Sequence, residues 1–189
     1  GRVYLTTAVA EADGGQDDQS LRAICLDTTS GKTLWNVEVF DRNQVPTVDL
    51  LHSKNSHASP TPATDGKFLY VHFGAEGTAC LELKTGKIVW KNTELNFNVI
   101  QGAGSSPILH EDLLILTCDG IDVQYIAALD KRTGATVWTA LNEKMSYSSP
   151  IAFTAAGVRQ LAYFTAYSLT GLSPADGTVL WQVPWQTRW

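Results

Sequence analysis

Short runs of alternating apolar and polar residues, bounded by turn-forming residues, recur along the whole chain. GKFLYVHF (66–73), DLLILTC (112–118) and QLAYFTA (160–166) are seven or eight residues long and rich in aromatic and branched side chains, as is typical of β-strands. No stretch shows the i, i+3, i+4 apolar spacing of an amphipathic helix. The pattern therefore predicts an all-β chain.

One ten-residue phrase occurs four times, as LDTTSGKTLW, LELKTGKIVW, LDKRTGATVW and LSPADGTVLW. Aligned without gaps, the phrases superimpose four glycines and, four residues later, four tryptophans: Gly31, Gly86, Gly134 and Gly177, then Trp35, Trp90, Trp138 and Trp181. Each phrase predicts two strands around a tight turn, because glycine supplies the positive φ that such a turn needs. Asp27, Glu82 and Asp130 are expected to accept hydrogen bonds from the turn amides.

Two further strands are predicted before three of the phrases. HASPTPA, GSSPILH and YSSPIAF place Pro60, Pro107 and Pro150 at the start of a strand, where one amide needs no partner. Four short antiparallel strands in a repeat of roughly 45 residues form the blade of a β-propeller, whereas solenoid repeats of that length are helical. The predicted fold class is an all-β propeller of four-stranded antiparallel blades.

The repeat, small-x-Asp-x-x-Thr-Gly-x-x-x-Trp, resembles the tryptophan-docking motif of the quinoprotein-like propellers. That family includes the PQQ-dependent alcohol dehydrogenases and the BamB-like outer-membrane assembly proteins. The match is close in three phrases and looser in the last, where Ser173 and Asp176 replace the acidic residue and the threonine. The resemblance implies that each indole packs over a small residue and ties neighbouring blades together. The small position is held by Cys25, Cys80, Ala128 and Gly171.

The repeats predict one domain over residues 1–189, with blades at about 57–94, 104–142 and 147–185 and an incomplete blade at about 1–39. Both ends of the chain fall inside repeats. The expectation is therefore a partial propeller, three blades plus most of a fourth, with the remaining blades outside this chain. The resemblance implies a closed ring, usually of eight blades, since an open one leaves strand edges exposed.

Composition and charge exclude several classes of protein. A net charge of −5, with only 14 Lys and Arg in 189 residues, argues against a nucleic-acid partner. No run of about 18 apolar residues exists that would predict a transmembrane segment. Cys25, Cys80 and Cys118 lack metal-type spacing, and the pair His52 and His57 matches no zinc pattern. The acidic loop at 11–19 lacks the ligand order of a calcium loop, so no metal site is predicted.

A binding site is predicted at the mouth of the central channel. In propellers of this family the first strand of each blade lines the channel, and the residues before the shared prolines are placed on that strand. The polar side chains at these matched positions are expected to converge, and they are Lys54, Asn55, His57, Gln101, Lys144 and Tyr147. The alternative is a hydrated channel wall with no ligand.

Two functions remain open from the sequence. The favoured one is a non-enzymatic scaffold that binds a protein or an extended peptide, for which the resemblance implies a periplasmic or outer-membrane location and no cofactor. The alternative is a PQQ-dependent alcohol or sugar dehydrogenase, in which the quinone stacks on a tryptophan and calcium polarises it. Many such enzymes carry two adjacent cysteines, which this chain does not have. The cofactor-site residues would then lie in other blades.

Overall fold

The structure, a computed structural model, describes residues 1–10, 18–42, 55–95, 97–99, 101–121, 123–143 and 146–185. Within these ranges the chain forms fifteen β-strands, arranged as one three-stranded and three four-stranded antiparallel sheets. A single turn of 3₁₀ helix, Gly74–Glu76, interrupts the strands of this part of the chain. The prediction of an all-β propeller fold is confirmed.

Each sheet is a meander, because its strands are hydrogen-bonded in the order in which they occur in the chain. The first sheet contains β1 (Arg2–Ala10), β2 (Gln19–Asp27) and β3 (Thr33–Asp41). The second contains β4 (Ala63–Thr64), β5 (Phe68–His72), β6 (Thr78–Glu82) and β7 (Ile88–Asn92). The third contains β8 (Ile108–His110), β9 (Leu113–Asp119), β10 (Gln124–Asp130) and β11 (Thr136–Ala140). The fourth contains β12 (Ile151–Ala155), β13 (Val158–Phe164), β14 (Ser168–Leu172) and β15 (Val179–Pro184).

The ten-residue phrases form the last hairpin of each sheet. Their four glycines have φ between 68° and 78°, the left-handed region that glycine enters at little cost. Asp27 Oδ1 accepts hydrogen bonds from the amides of Thr29 and Ser30 at 3.1 and 2.7 Å, and Asp130 bonds its own turn in the same way. Glu82, one methylene longer, instead accepts the hydroxyl of Thr85 at 2.8 Å. The turn chemistry was therefore predicted correctly for the two aspartates alone.

The tryptophans of the first three phrases each connect their own sheet to the next one. The indole N–H of Trp90 donates to the carbonyl of Lys131 at 3.0 Å. The same bond joins Trp138 to Pro174 at 3.0 Å and Trp35 to Leu83 at 3.3 Å. Because all three acceptors lie at one equivalent position of the following phrase, each hairpin turn is fixed against the sheet before it.

The glycine of the following phrase makes room for the indole ring. A Cβ built on Gly134 would lie 2.5 Å from Cε3 of Trp90, and one on Gly177 would lie 2.7 Å from Cε3 of Trp138. A Cβ on Gly86 would lie 2.9 Å from Cδ2 of Trp35. Glycine is thus needed at these positions for two reasons, namely the positive φ and the absence of a Cβ under the ring that covers it.

The fourth tryptophan is arranged differently. Trp181 donates its indole N–H to the side-chain oxygen of Gln160 in its own sheet. Its ring lies against Gly171, directly across the hairpin, where any Cβ would collide with the ring. The last indole is thus hydrogen-bonded within its own sheet.

Three apolar clusters fill the spaces between successive sheets. Leu21 and Val39 of the first sheet cluster with Leu69 and Val71 of the second. A second cluster lies between the second and third sheets, and a third joins Ile115 of the third sheet to residues of the fourth. Burial of apolar area contributes about 25 cal/mol per Å², so packing between sheets is a principal source of stability.

We expect Trp90→Ala to lower the free energy of unfolding by about 3–5 kcal/mol, because it removes a buried aromatic ring and leaves a cavity. Val89, its neighbour on β7, is 46% exposed. Val89→Ala is therefore the matched control and should cost less than about 0.5 kcal/mol. Urea unfolding measures both, and equal midpoints for the two variants would contradict the structural role of the indole.

A pair of glycine substitutions separates backbone strain from steric collision. Gly134 and Gly66 both have positive φ, 78° and 87°, but a Cβ on Gly66 has no neighbour within 4 Å. Gly66→Ala should cost only the left-handed strain of about 1–2 kcal/mol. Gly134→Ala should cost about 1–3 kcal/mol more, because the methyl group overlaps Trp90. The expectation fails if thermal and urea unfolding give the two variants the same stability.

Candidate functional site

The residues predicted to line the channel precede the first strands of the sheets and do not lie within them. This corrects the prediction for Asn55, His57, Gln101 and Tyr147, because the first strands begin only at residues 63, 108 and 151. The nearby prolines have no amide hydrogen to donate to a sheet. The segments also bond to one another, since the amide of Thr61 donates to Ser106 Oγ at 2.9 Å and that of Ser106 to Ser149 Oγ at 2.8 Å.

Four predicted mouth residues can be placed, and Lys54 and Lys144 lie outside the residues that the structure describes. Asn55 and Gln101 lie together, because the side-chain amide of Asn55 donates to the backbone carbonyl of Gln101. The Asn55 oxygen in turn accepts the hydroxyl of Ser59. Asn55 therefore connects two neighbouring segments of the mouth.

His57 is buried and paired with a carboxylate. Only 4% of the His57 side chain and 2% of Glu76 are exposed, and His57 Nδ1 lies 2.5 Å from Glu76 Oε1. Arg42 Nε lies 3.7 Å from the same oxygen. The three side chains join the end of β3, the segment before β4 and the 3₁₀ turn, so His57 lies beneath the mouth surface.

Tyr147 lies at the junction of the third and fourth sheets. Its φ of 56° is unusual for a bulky residue. Gly104 lies against it, and a Cβ there would be 3.1 Å from the Tyr147 ring. Partial burial, and then the charge of Asp119, raise the pKa of Tyr147. This tyrosine therefore remains a neutral phenol at physiological pH.

A buried polar cluster around Asp119 was missed from the sequence. Asp119, at the end of β9, accepts the hydroxyl of Tyr163 at 2.8 Å on Oδ1, and those of Thr117 and Ser105 at 3.0 and 3.1 Å on Oδ2. Burial raises the pKa of Asp119 in spite of these donors. A signal for this carboxylate was present, since Asp119 ends a strand whose other residues are mostly apolar and buried.

Glu143 forms a third such cluster beside the fourth sheet. Its Oε2 accepts the hydroxyls of Thr165 and Ser168 at 2.6 and 3.0 Å, and Oε1 accepts the amide of Gln182 at 2.7 Å. Glu76, Asp119 and Glu143 thus all accept bonds from neighbouring side chains. Such an arrangement rigidifies the mouth, because a fully satisfied polar network holds its members in one geometry.

Neither a cluster of metal ligands nor a membrane-spanning helix is found in the described part of the chain. No group of three or more His, Cys, Asp or Glu side chains there is arranged to hold a metal ion. None of its helical segments has the length and apolar character needed to cross a membrane.

The chain matches a family model along most of its length. Residues 17–188 fit the family described as outer membrane protein assembly factor BamB, and the chain therefore belongs to this PQQ-repeat propeller family. No curated protein matches.

Solved structures share the fold at low sequence identity. BamB from Moraxella catarrhalis is 18% identical with a TM-score of 0.58, and the match covers 98% of this chain but only 54% of that one. A europium-containing methanol dehydrogenase is 13% identical with a TM-score of 0.63, covering 96% of this chain and 40% of the enzyme. A quinohemoprotein alcohol dehydrogenase from Pseudomonas putida HK5 is 12% identical with a TM-score of 0.64, covering 97% and 35%. The chain thus spans about half the length of this BamB and less than half the length of the two dehydrogenases.

Asp119 should make stability depend on pH in a particular direction. Its folded pKa is raised above the ordinary 3.8, so its contribution is fully present below that value and is lost as pH rises through the folded pKa. Relative to Asp119→Asn, the wild-type protein should therefore lose unfolding free energy as pH rises above the ordinary carboxyl value of 3.8, measured by urea unfolding.

Asp130 is the matched control, because its sign is opposite. The hydrogen bond from the Arg132 side chain lowers the pKa of Asp130, so its contribution is present above the ordinary value and is lost as pH falls through the folded pKa. The advantage of wild type over Asp130→Asn should thus shrink on acidification. The same pH trend for both aspartates would contradict the assigned environments.

Proposed function

We propose that this chain is part of a BamB-type scaffold that binds protein or extended peptide segments during outer-membrane protein assembly, in the periplasm or at the outer membrane. The match to the BamB family over residues 17–188 supports this assignment. The proposal needs no cofactor, because a propeller offers rigid strand edges and loop faces on which a partner can bind.

The observation that carries the proposal is an exposed apolar position repeated on the outermost strand of every sheet. The residue before each phrase tryptophan is 44–52% exposed in all four sheets, and these residues are Leu34, Val89, Val137 and Leu180. They lie on β3, β7, β11 and β15, each of which pairs with another strand on one side only within the described sheets. Unpaired edges with apolar side chains favour the addition of a strand from a partner.

We infer that the tryptophan contacts between sheets are the docking contacts of this family, and that they keep these edges at regular positions. The indole bonds to Leu83, Lys131 and Pro174 hold three successive junctions. A rigid platform favours binding, since little conformational entropy is lost when a partner associates.

A PQQ-dependent dehydrogenase is the second candidate, favoured by TM-scores of 0.63 and 0.64 to such enzymes against 0.58 to BamB. The mouth does not fit the calcium and quinone that such an enzyme binds. Its carboxylates Glu76 and Asp119 are buried and bonded to His57 and to three hydroxyl groups. Calcium requires several carboxylate and carbonyl oxygens that are open to it, so we derive no catalytic step from this mouth.

The scaffold function is tested with a fluorescently labelled outer-membrane β-barrel protein, diluted unfolded from urea and followed by anisotropy. Val137→Lys should weaken binding by about threefold or more, because lysine on an edge strand opposes strand addition. Ile121→Lys is the matched control, since Ile121 is 50% exposed but lies outside the outer strands, and it should bind like wild type.

The scaffold proposal is overturned if the barrel protein does not bind, or if both lysine variants weaken binding equally.

Equilibrium dialysis with PQQ and Ca²⁺, followed by dye-coupled alcohol oxidation, tests the second candidate. Stoichiometric uptake with turnover would establish the enzyme in place of the scaffold.

A further inference from the structure

The hairpin turns at the end of the sheets away from the mouth close the junction between the second and third sheets. Lys131 Nζ lies 3.8 Å from Asp65 Oδ2 and 3.9 Å from Asp112 Oδ1. The amide of Lys131 also donates to the carbonyl of Asp112 at 2.9 Å. This long side chain therefore occupies the groove between the turns of the two sheets.

At the next junction, between the third and fourth sheets, the phrase turn contributes no such side chain. The fourth phrase carries Pro174 and Ala175 where the third carries Lys131 and Arg132. A cleft of about 410 Å³ lies there, with Leu113 of the third sheet facing Val158 of the fourth. Its volume falls within the roughly 300–1,000 Å³ of small-molecule sites in proteins. The change of residue type in one repeat therefore leaves a cleft that the preceding junction fills.

The lining of this cleft is electrically balanced. Arg159 is paired with Glu111 across the junction, and both side chains are more than half exposed. Burial, and then the charge of Arg159, lower the pKa of His110, so its imidazole is neutral at physiological pH. Ser173 adds a hydroxyl. Such a lining does not favour a ligand with net charge. It favours an uncharged ligand group that is flanked by other ligand groups able to form hydrogen bonds.

Geometry and polarity together point to one class of occupant. We propose that this cleft binds an uncharged aromatic side chain presented by an extended peptide segment, an inference that rests on the proposed scaffold function. The apolar walls of Leu113, Val158 and Pro174 match a ring, and the guanidinium of Arg159 at the rim favours an aromatic over an aliphatic group. His110 offers a polar ring nitrogen to the peptide backbone beside the ring.

The experiment uses N-acetyl-L-phenylalanine amide as the probe, with N-acetyl-L-alanine amide for comparison, in ¹⁵N NMR titrations of the whole chain. The phenylalanine amide should give saturable shifts of the amides of Leu113, Val158 and Ser173, and the alanine amide should not. Ala175→Arg places a long charged side chain on the lining of the cleft and should reduce affinity by about tenfold. Ala135→Arg is the matched control, being an exposed alanine in the turn of the third phrase, and should bind like wild type.

The proposal is overturned if no saturable shifts occur, if Ala175→Arg binds as tightly as wild type, or if the alanine amide binds equally well. Equal thermal unfolding of the two arginine variants shows that folding is not the cause of any difference. If the probe does not bind, the effect of Val137→Lys on binding of the barrel protein is unchanged. If the scaffold experiment fails, the probe still shifts the amides of the cleft. The two results are therefore distinguishable.

Discussion

The contact between an indole and the turn of the next sheet is the interaction on which the remaining structure depends. Each contact has two parts, an N–H donated to a backbone carbonyl and a ring covering a glycine that has no room for a Cβ. The hydrogen bond gives direction, and the buried ring supplies most of the energy. Because both parts lie within one phrase and its successor, a repeat can be stacked on the next without altering its own sheet.

The polar side chains of the mouth serve this same stacking. Glu76, Asp119 and Glu143 each join elements of different segments, and their oxygens accept bonds from histidine, hydroxyl or amide groups. Buried carboxylates are costly unless they are satisfied. When these carboxylates are satisfied, the mouth is rigid, and their oxygens are bonded to other side chains of the protein. Exposed apolar side chains and open space are found instead on the outer strands and in the cleft between the third and fourth sheets.

Departures from the repeat are as informative as the repeat. The last phrase has lost the acidic residue and the threonine, and it carries Pro174 and Ala175 where the third phrase carries Lys131 and Arg132. Pro174 keeps the carbonyl that Trp138 needs but contributes no long side chain. The degenerate phrase thus leaves a cleft beside its sheet.

The sequence by itself determined the strands, the hairpin turns and the propeller class. These follow from local causes, namely alternating apolar residues, glycines with positive φ and a tryptophan at fixed spacing. The sequence did not determine the site. The mouth segments contain prolines and lie before the first strands. Asp119 accepts hydrogen bonds from Ser105, Thr117 and Tyr163, which lie 2 to 44 residues away in the chain. Only the packing of separate sheets brings such groups together, and burial then decides which of them remain available to a ligand.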